Sequence, residues 1–130
     1  MRTKAREVAF QVVFASRFNE EENGLIRALY KRENLSKDDA AYADRVLEIV
    51  DSHAGEFLEI IDNKSVAFPE SRLFAADKSI LLVALAEIMY MDDIPAAVSV
   101  SEAANIASKY SSPKSASFVS GILSEVIKGV

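Results

Sequence analysis

Residues 79–91 read SILLVALAEIMYM, and this stretch decides the fold. Ile80 to Ala86 is unbroken apolar sequence, and Ile88 to Met91 resumes it after a single charge, Glu87. Period-two alternation is absent, the run is long for a buried strand, and Leu, Ala and Met favour helix. A helix that is apolar on nearly every side must be covered on nearly every side. It is also shorter than the about 20 apolar residues that a bilayer span requires. The stretch therefore reads as the central helix of an all-α protein, with the other helices wrapped around it. Asp77 falls in its first turn, where a negative charge suits the helix dipole. Asp92-Asp93-Ile94-Pro95 ends it, because the residue before a proline is pushed out of the α region.

Length and composition frame that helix. The chain has 130 residues and no cysteine. This suits one domain, 1–130, that buries roughly two-thirds of its unfolded surface without disulfides or thiolate metal sites. No signal-like apolar segment follows Met1 and no spanning segment occurs, so the expected location is cytoplasmic, with no membrane contact. The formal net charge is −5. An evenly acidic surface repels phosphate, so a nucleic-acid role requires a local basic patch.

Working outward, residues 3–18 form a first helix whose core face is Ala5, Val8, Ala9, Val12 and Val13. Arg2, Arg6, Phe10 and Arg17 gather on a neighbouring face. Two readings of that face stand open from the charge pattern: a solvated basic edge with a core phenylalanine, or a phosphate-binding edge with an aromatic beside it. Residues 19–24 read as an acidic turn, and 25–32 as a short helix. Ser36, followed by Lys37-Asp38-Asp39, is a helix start. Val46, Val50, His53, Phe57 and Ile61 form a seam running to about Asn63, which Gly55 is positioned to divide in two. His53, the sole histidine, reads as a hydrogen-bonded core residue rather than a base or ligand. Phe68-Pro69 marks a joint, and Pro69, Glu70 and Ser71 open a helical turn. Glu87 reads as an acid that reaches an edge or pairs with a base, since an unpaired buried charge is costly.

Beyond Pro95, Ser99 and Glu102 have capping-box spacing, which predicts a helix over 99–110. Ser111-Ser112-Pro113 is a turn. A last helix carries Phe118, Val119, Ile122, Leu123, Val126 and Ile127, with Gly121 permitting close contact with the central helix. The expected architecture is a bundle of about seven helices. There is no P-loop, GxGxxG, nucleophile elbow or HExxH. No catalytic residue, metal ligand or cofactor is expected, and a binding module is favoured over an enzyme.

Particular residues go further. Ala5-Arg6-Glu7, Ala9, Gln11 and Phe14 resemble the opening ARExALQxLY pattern of the NusB family, and Asp39 and Tyr42 match its third-helix positions. Asp77, Ile80, Leu81, Ala84 and Glu87 follow its DxxILxxAxxE helix. Ile94-Pro95, Val98 and Ser101-Glu102-Ala103 resemble IPxxVxINEA, and Lys114-Ser115, Phe118-Val119 and Gly121-Ile122-Leu123 resemble KSxxFVNGVL. The sequence departs from the pattern at Phe68 (usually Trp), Leu82 (usually Arg), Ser101 and Ser120 (usually Asn). Serine keeps a hydroxyl but loses the amide's paired donor and acceptor.

The resemblance implies an all-helical transcription antitermination factor that binds boxA-type leader RNA together with the ribosomal protein NusE. The pair joins the RNA polymerase antitermination complex in ribosomal RNA transcription. The implied RNA surface is Arg2, Lys4 and Arg6 with Lys114, Ser115 and Phe118; the implied NusE surface includes Phe14 and Asp77. Phe118 is open between base stacking and core. On this reading Arg6 and Lys114 belong to one continuous basic spot, so changing both to Glu cuts RNA binding without unfolding the protein. The alternative is a divergent protein-interaction or homo-oligomerisation module, a homodimer included, with weak or no RNA binding.

Overall fold

The computed structural model describes residues 2–18, 25–65 and 73–129. Among them lie six α-helices: α1 (Arg2–Val13), α2 (Leu25–Arg32), α3 (Lys37–Lys64), α4 (Ala75–Tyr90), α5 (Ala96–Tyr110) and α6 (Pro113–Lys128). A single π-helical turn, Phe14–Phe18, extends α1. No strand occurs among the described residues.

The all-α expectation holds, with six α-helices where about seven were expected. The difference lies in α3. Gly55 does not divide it; the helix runs unbroken for 28 residues, with Gly55 on its exposed side. The cost of one helical glycine, about 1 kcal/mol, is outweighed by burial of Val46, Val50, Ala54, Phe57 and Ile61 on the opposite side. The acidic turn over 19–24 and the joint at Phe68-Pro69 with its turn at 69–71 lie outside the described residues.

The central helix is α4. Every residue from Ser79 to Glu87 is buried. Full burial of a Leu, Ile or Val side chain contributes about 1.5–3 kcal/mol, and Ile80, Leu81, Leu82, Val83 and Leu85 supply five. The helices α1, α3, α5 and α6 all pack against α4. Leu82, where the resemblance leads one to expect arginine, is fully buried here.

Serine caps set the starts of α3 and α6. Ser36 caps α3 by accepting the Asp39 amide at 3.1 Å, and Asp38 and Asp39 complement the dipole. Ser112 caps α6 through the Ser115 amide at 3.1 Å, with Pro113 in its first turn. The capping box expected at Ser99 is overturned. Helix α5 starts three residues earlier, at Ala96 behind Pro95, and Ser99 is a buried residue inside it. Its hydroxyl donates instead to Glu87 Oε1 at 2.7 Å. Gly121 does not bring α6 against the central helix; it is exposed and a Cβ there would meet nothing within 4 Å. Nor is His53 a core residue. Its side chain is half-exposed, stacked on Tyr90 with ring centroids 4.2 Å apart, and its Nδ1 lies 3.6 Å from Glu56.

Candidate nucleic-acid interface

Helix directions decide which predicted site residues can meet. Along α1 and α5, Thr3 and Arg6 meet Glu102, whereas Glu7 meets Lys109 and Tyr110, and Gln11 meets Tyr110. The two helices therefore run in the same direction. Arg6 reaches Glu87 near the end of α4, and Ser115 at the start of α6 reaches Asp77 at the start of α4. The start of α1 and the start of α6 thus lie at opposite ends of the central helix. Ten residues of α4 separate the two contacts, about 15 Å along its axis.

This geometry corrects the continuous spot expected around Arg6 and Lys114. Arg6 is only 5% exposed. Its Nε donates to Glu87 at 2.6 Å and its Nη1 to Glu102 at 2.9 Å. Glu87 also accepts from the hydroxyls of Tyr42 and Ser99, so it joins α1, α3, α4 and α5 through one carboxylate. The expectation that Glu87 pairs with a base holds, though it does so in the core rather than at an edge. Burying a charge requires this degree of pairing. A guanidinium committed to two carboxylates has little left to offer a phosphate.

Arg2 and Lys4 remain accessible. Arg2 stacks over the Tyr42 ring, 4.4 Å from its centroid, and its Nε sits 3.9 Å from Asp39. Lys4 Nζ lies 3.4 Å from Glu33. Both contacts are long and both cations reach solvent, so they contribute little and an incoming phosphate competes with them at small cost. Phe10, placed on the same face by sequence, is buried and packs on Tyr110; Arg17 is exposed in the π turn.

At the other end, Lys114 is exposed, and no ion-pair partner for it occurs among the described residues. Ser115 is buried, donating to Asp77 Oδ2 at 3.1 Å. Phe118 is half-buried and packs against the main core. Asp77 is itself buried, with Oδ1 lacking a hydrogen-bond partner. Burial pushes its carboxyl above the ordinary aspartate value, against the opposing pull of hydrogen bonds from Ser115 and Ser111. Phe14 opens the π turn, half-buried beside Phe10, and that turn also packs on α4.

The seam between α1 and α5 connects the two ends, and sequence reasoning did not single it out. Lys109 Nζ donates to Glu7 Oε1 at 2.7 Å, Tyr110 donates its hydroxyl to the same oxygen at 2.9 Å, and Gln11 Nε2 donates to the Tyr110 oxygen at 3.1 Å. Burial pushes Glu7 up, but the hydrogen bonds from Lys109 and Tyr110 outweigh it and hold the carboxyl below its usual range. The hydrogen bond to Glu7 in turn raises Lys109. These partners are about a hundred positions apart in the chain, and only Tyr110, the aromatic next to the Ser-Ser-Pro turn, carried a local signal.

Among the described residues no helix is long and apolar enough to cross a membrane, and no group of acidic or histidine side chains is arranged to hold a metal ion.

A sequence model of the NusB family matches residues 3–128. The transcription antitermination protein NusB of Clostridium novyi is 33% identical over 130 residues, covering 98% of each chain. Its counterpart from Oceanobacillus iheyensis is 35% identical over 127 residues, covering 97% of this chain and 98% of that one. Among solved structures, T. maritima NusB superposes with a TM-score of 0.86 at 27% identity, covering 98% of this chain and 91% of the other. The antitermination factors NusB and NusE in complex with dsRNA include a chain matching at a TM-score of 0.88 and 24% identity, with 99% and 97% covered, which supports the fold. This end-to-end match of sequence places the chain in the NusB family.

Proposed function

We propose that this chain is a transcription antitermination factor that binds boxA-type leader RNA together with ribosomal protein NusE and acts with RNA polymerase in ribosomal RNA transcription. The observation that carries the reading is the whole-length match to antitermination proteins, 33% identity over 98% of both chains. On this reading the chain works as one domain in the cytoplasm, and its role is binding rather than catalysis. The RNA-facing groups are Arg2, Lys4 and Lys114, with Ser115 and Phe118 shaping the start of α6. Arg6 serves by anchoring α1 rather than by touching RNA. The NusE-facing end is that of Phe14 and Asp77; Asp77 is buried and acts there by holding Ser115 at the start of α6.

Electrostatics sets the expected strength. The chain carries net charge −5, and Arg2 and Lys4 each have a carboxylate within 4 Å. Binding of RNA by this chain alone is therefore weak, and a basic partner supplies the missing phosphate contacts. Gel shift of a boxA RNA with and without NusE is the test. A clear gain in affinity with NusE is expected; equal affinity with and without it overturns the proposal. If the chain captures NusE but no RNA, the protein-interaction reading takes its place.

A further inference from the structure

We infer that Tyr110 is a base-stacking platform for single-stranded RNA, set near the Lys114 end of a track running from Arg2 and Lys4 over the α1–α5 seam to Lys114. The inference rests on the RNA-binding reading and deepens it by naming a contact and the form of RNA that it takes.

Three observations converge on Tyr110. Its side chain is one of four large hydrophobic ones left exposed among the described residues, at 37%. Its ring is nonetheless fixed: Phe10 packs against it at 5.0 Å between centroids, and its hydroxyl is held by Glu7 and Gln11 at once. An aromatic immobilised in this way loses little further freedom when a base settles on it. Cations flank it as well. Lys109 Nζ lies 5.4 Å from the ring centroid, and Lys114 follows four residues later across the turn into α6.

Position adds a fourth argument. Arg2 and Lys4 stand at one end of α1, and Lys114 at the opposite end of the central helix. The seam carrying Glu7, Lys109 and Tyr110 bridges that gap, and Glu102 and Tyr110 are eight residues apart on α5, about 12 Å. A single strand that follows this seam between the two cation groups passes Tyr110. Aromatic side chains bind unstacked bases with little sequence preference, while duplex bases offer no free face. Phe118, whose sequence position suggested this role, is half-buried against the core; Tyr110 is the accessible ring at the same corner.

The test uses the full chain with NusE and a fluorescein-labelled single-stranded boxA RNA, with a duplex of the same sequence as a second probe. Tyr110→Leu is expected to weaken single-strand binding by roughly tenfold or more, in keeping with the cost of losing one stacked base, and to leave duplex binding unchanged. Tyr110→Phe keeps the ring and is expected to bind the single strand within about twofold of the parent. A role confined to holding Glu7 predicts the opposite pattern, since Phe loses both hydrogen bonds. Single-strand binding by Tyr110→Leu equal to that of the parent overturns the inference and leaves the RNA-binding reading intact. Failure of the parent itself to bind either probe overturns both. Photocrosslinking with 5-iodouridine RNA is a measurement independent of folding: it should attach at Tyr110, and attachment confined to other residues counts against the platform.

Discussion

Replacing Arg6 by leucine removes the guanidinium that ion-pairs the most buried carboxylate in the network, and its effect can be worked from the contacts. Glu87 is 1% exposed. After the substitution it keeps the hydroxyls of Tyr42 and Ser99 but loses its charge partner at 2.6 Å. Breaking a buried pair from one side costs about 3–5 kcal/mol, a large share of the about 5–15 kcal/mol that holds a domain folded. For a chain of this size 1 kcal/mol moves Tm by about 4 °C, so a fall of about 15 °C is expected. Arg6→Glu places a third carboxylate beside Glu87 and Glu102 and is expected to leave no cooperative unfolding transition. This reverses the expectation from sequence that charge reversal at Arg6 would spare the fold. Urea and thermal unfolding followed by far-UV circular dichroism measure the single variants. Adding Glu87→Gln to Arg6→Leu should recover about half the loss, because the amide carries no stranded charge. A Tm for Arg6→Leu within about 3 °C of the parent refutes the reasoning. So does strict additivity of the two substitutions.

Further expectations follow from other sites. Asp77 has a raised carboxyl pKa when folded, so the folded state holds its proton more tightly. The stability this group contributes is largest at low pH and falls as pH rises from the unfolded value of 3.8 through the raised folded value. Asp77→Asn should remove that slope in a series of urea midpoints against pH; an unchanged slope shows that the carboxyl titrates normally. Gly55 and Gly121 are exposed helical positions where a Cβ meets nothing, so Gly55→Ala and Gly121→Ala should each stabilise by about 0.5–1 kcal/mol, read from denaturant midpoints. Lys114→Glu should leave Tm unchanged, weaken RNA binding in the presence of NusE and flatten the salt slope by about 0.7. An unaltered slope would remove Lys114 from the RNA surface.

What could be read in advance depended on how local each cause is. Helix α4 was legible because its apolar character needs no knowledge of its partners. Ser36 was legible as a cap because donor and acceptor lie three residues apart. Ser99 has similar serine–acid spacing to a cap, yet Pro95 starts α5 earlier and Glu87 takes the hydroxyl. No local pattern separates those cases. Arg6 was misread as a surface base for the same reason, since its two partners lie 81 and 96 residues away. Likewise Lys109 and Tyr110 become part of the candidate surface only when α5 is laid beside α1, a relation that chain order does not contain.

The enclosure of α4 also bears on how the protein is made. Helices α5 and α6 both cover α4, yet α6 ends at Lys128, thirty-eight residues after Tyr90. At about 5–20 residues per second on the ribosome, the nascent chain carries its greasiest segment for roughly 2–8 s before the last cover has been synthesised. Stop codons introduced before α6 should therefore yield aggregates and chaperone clients rather than a smaller soluble protein.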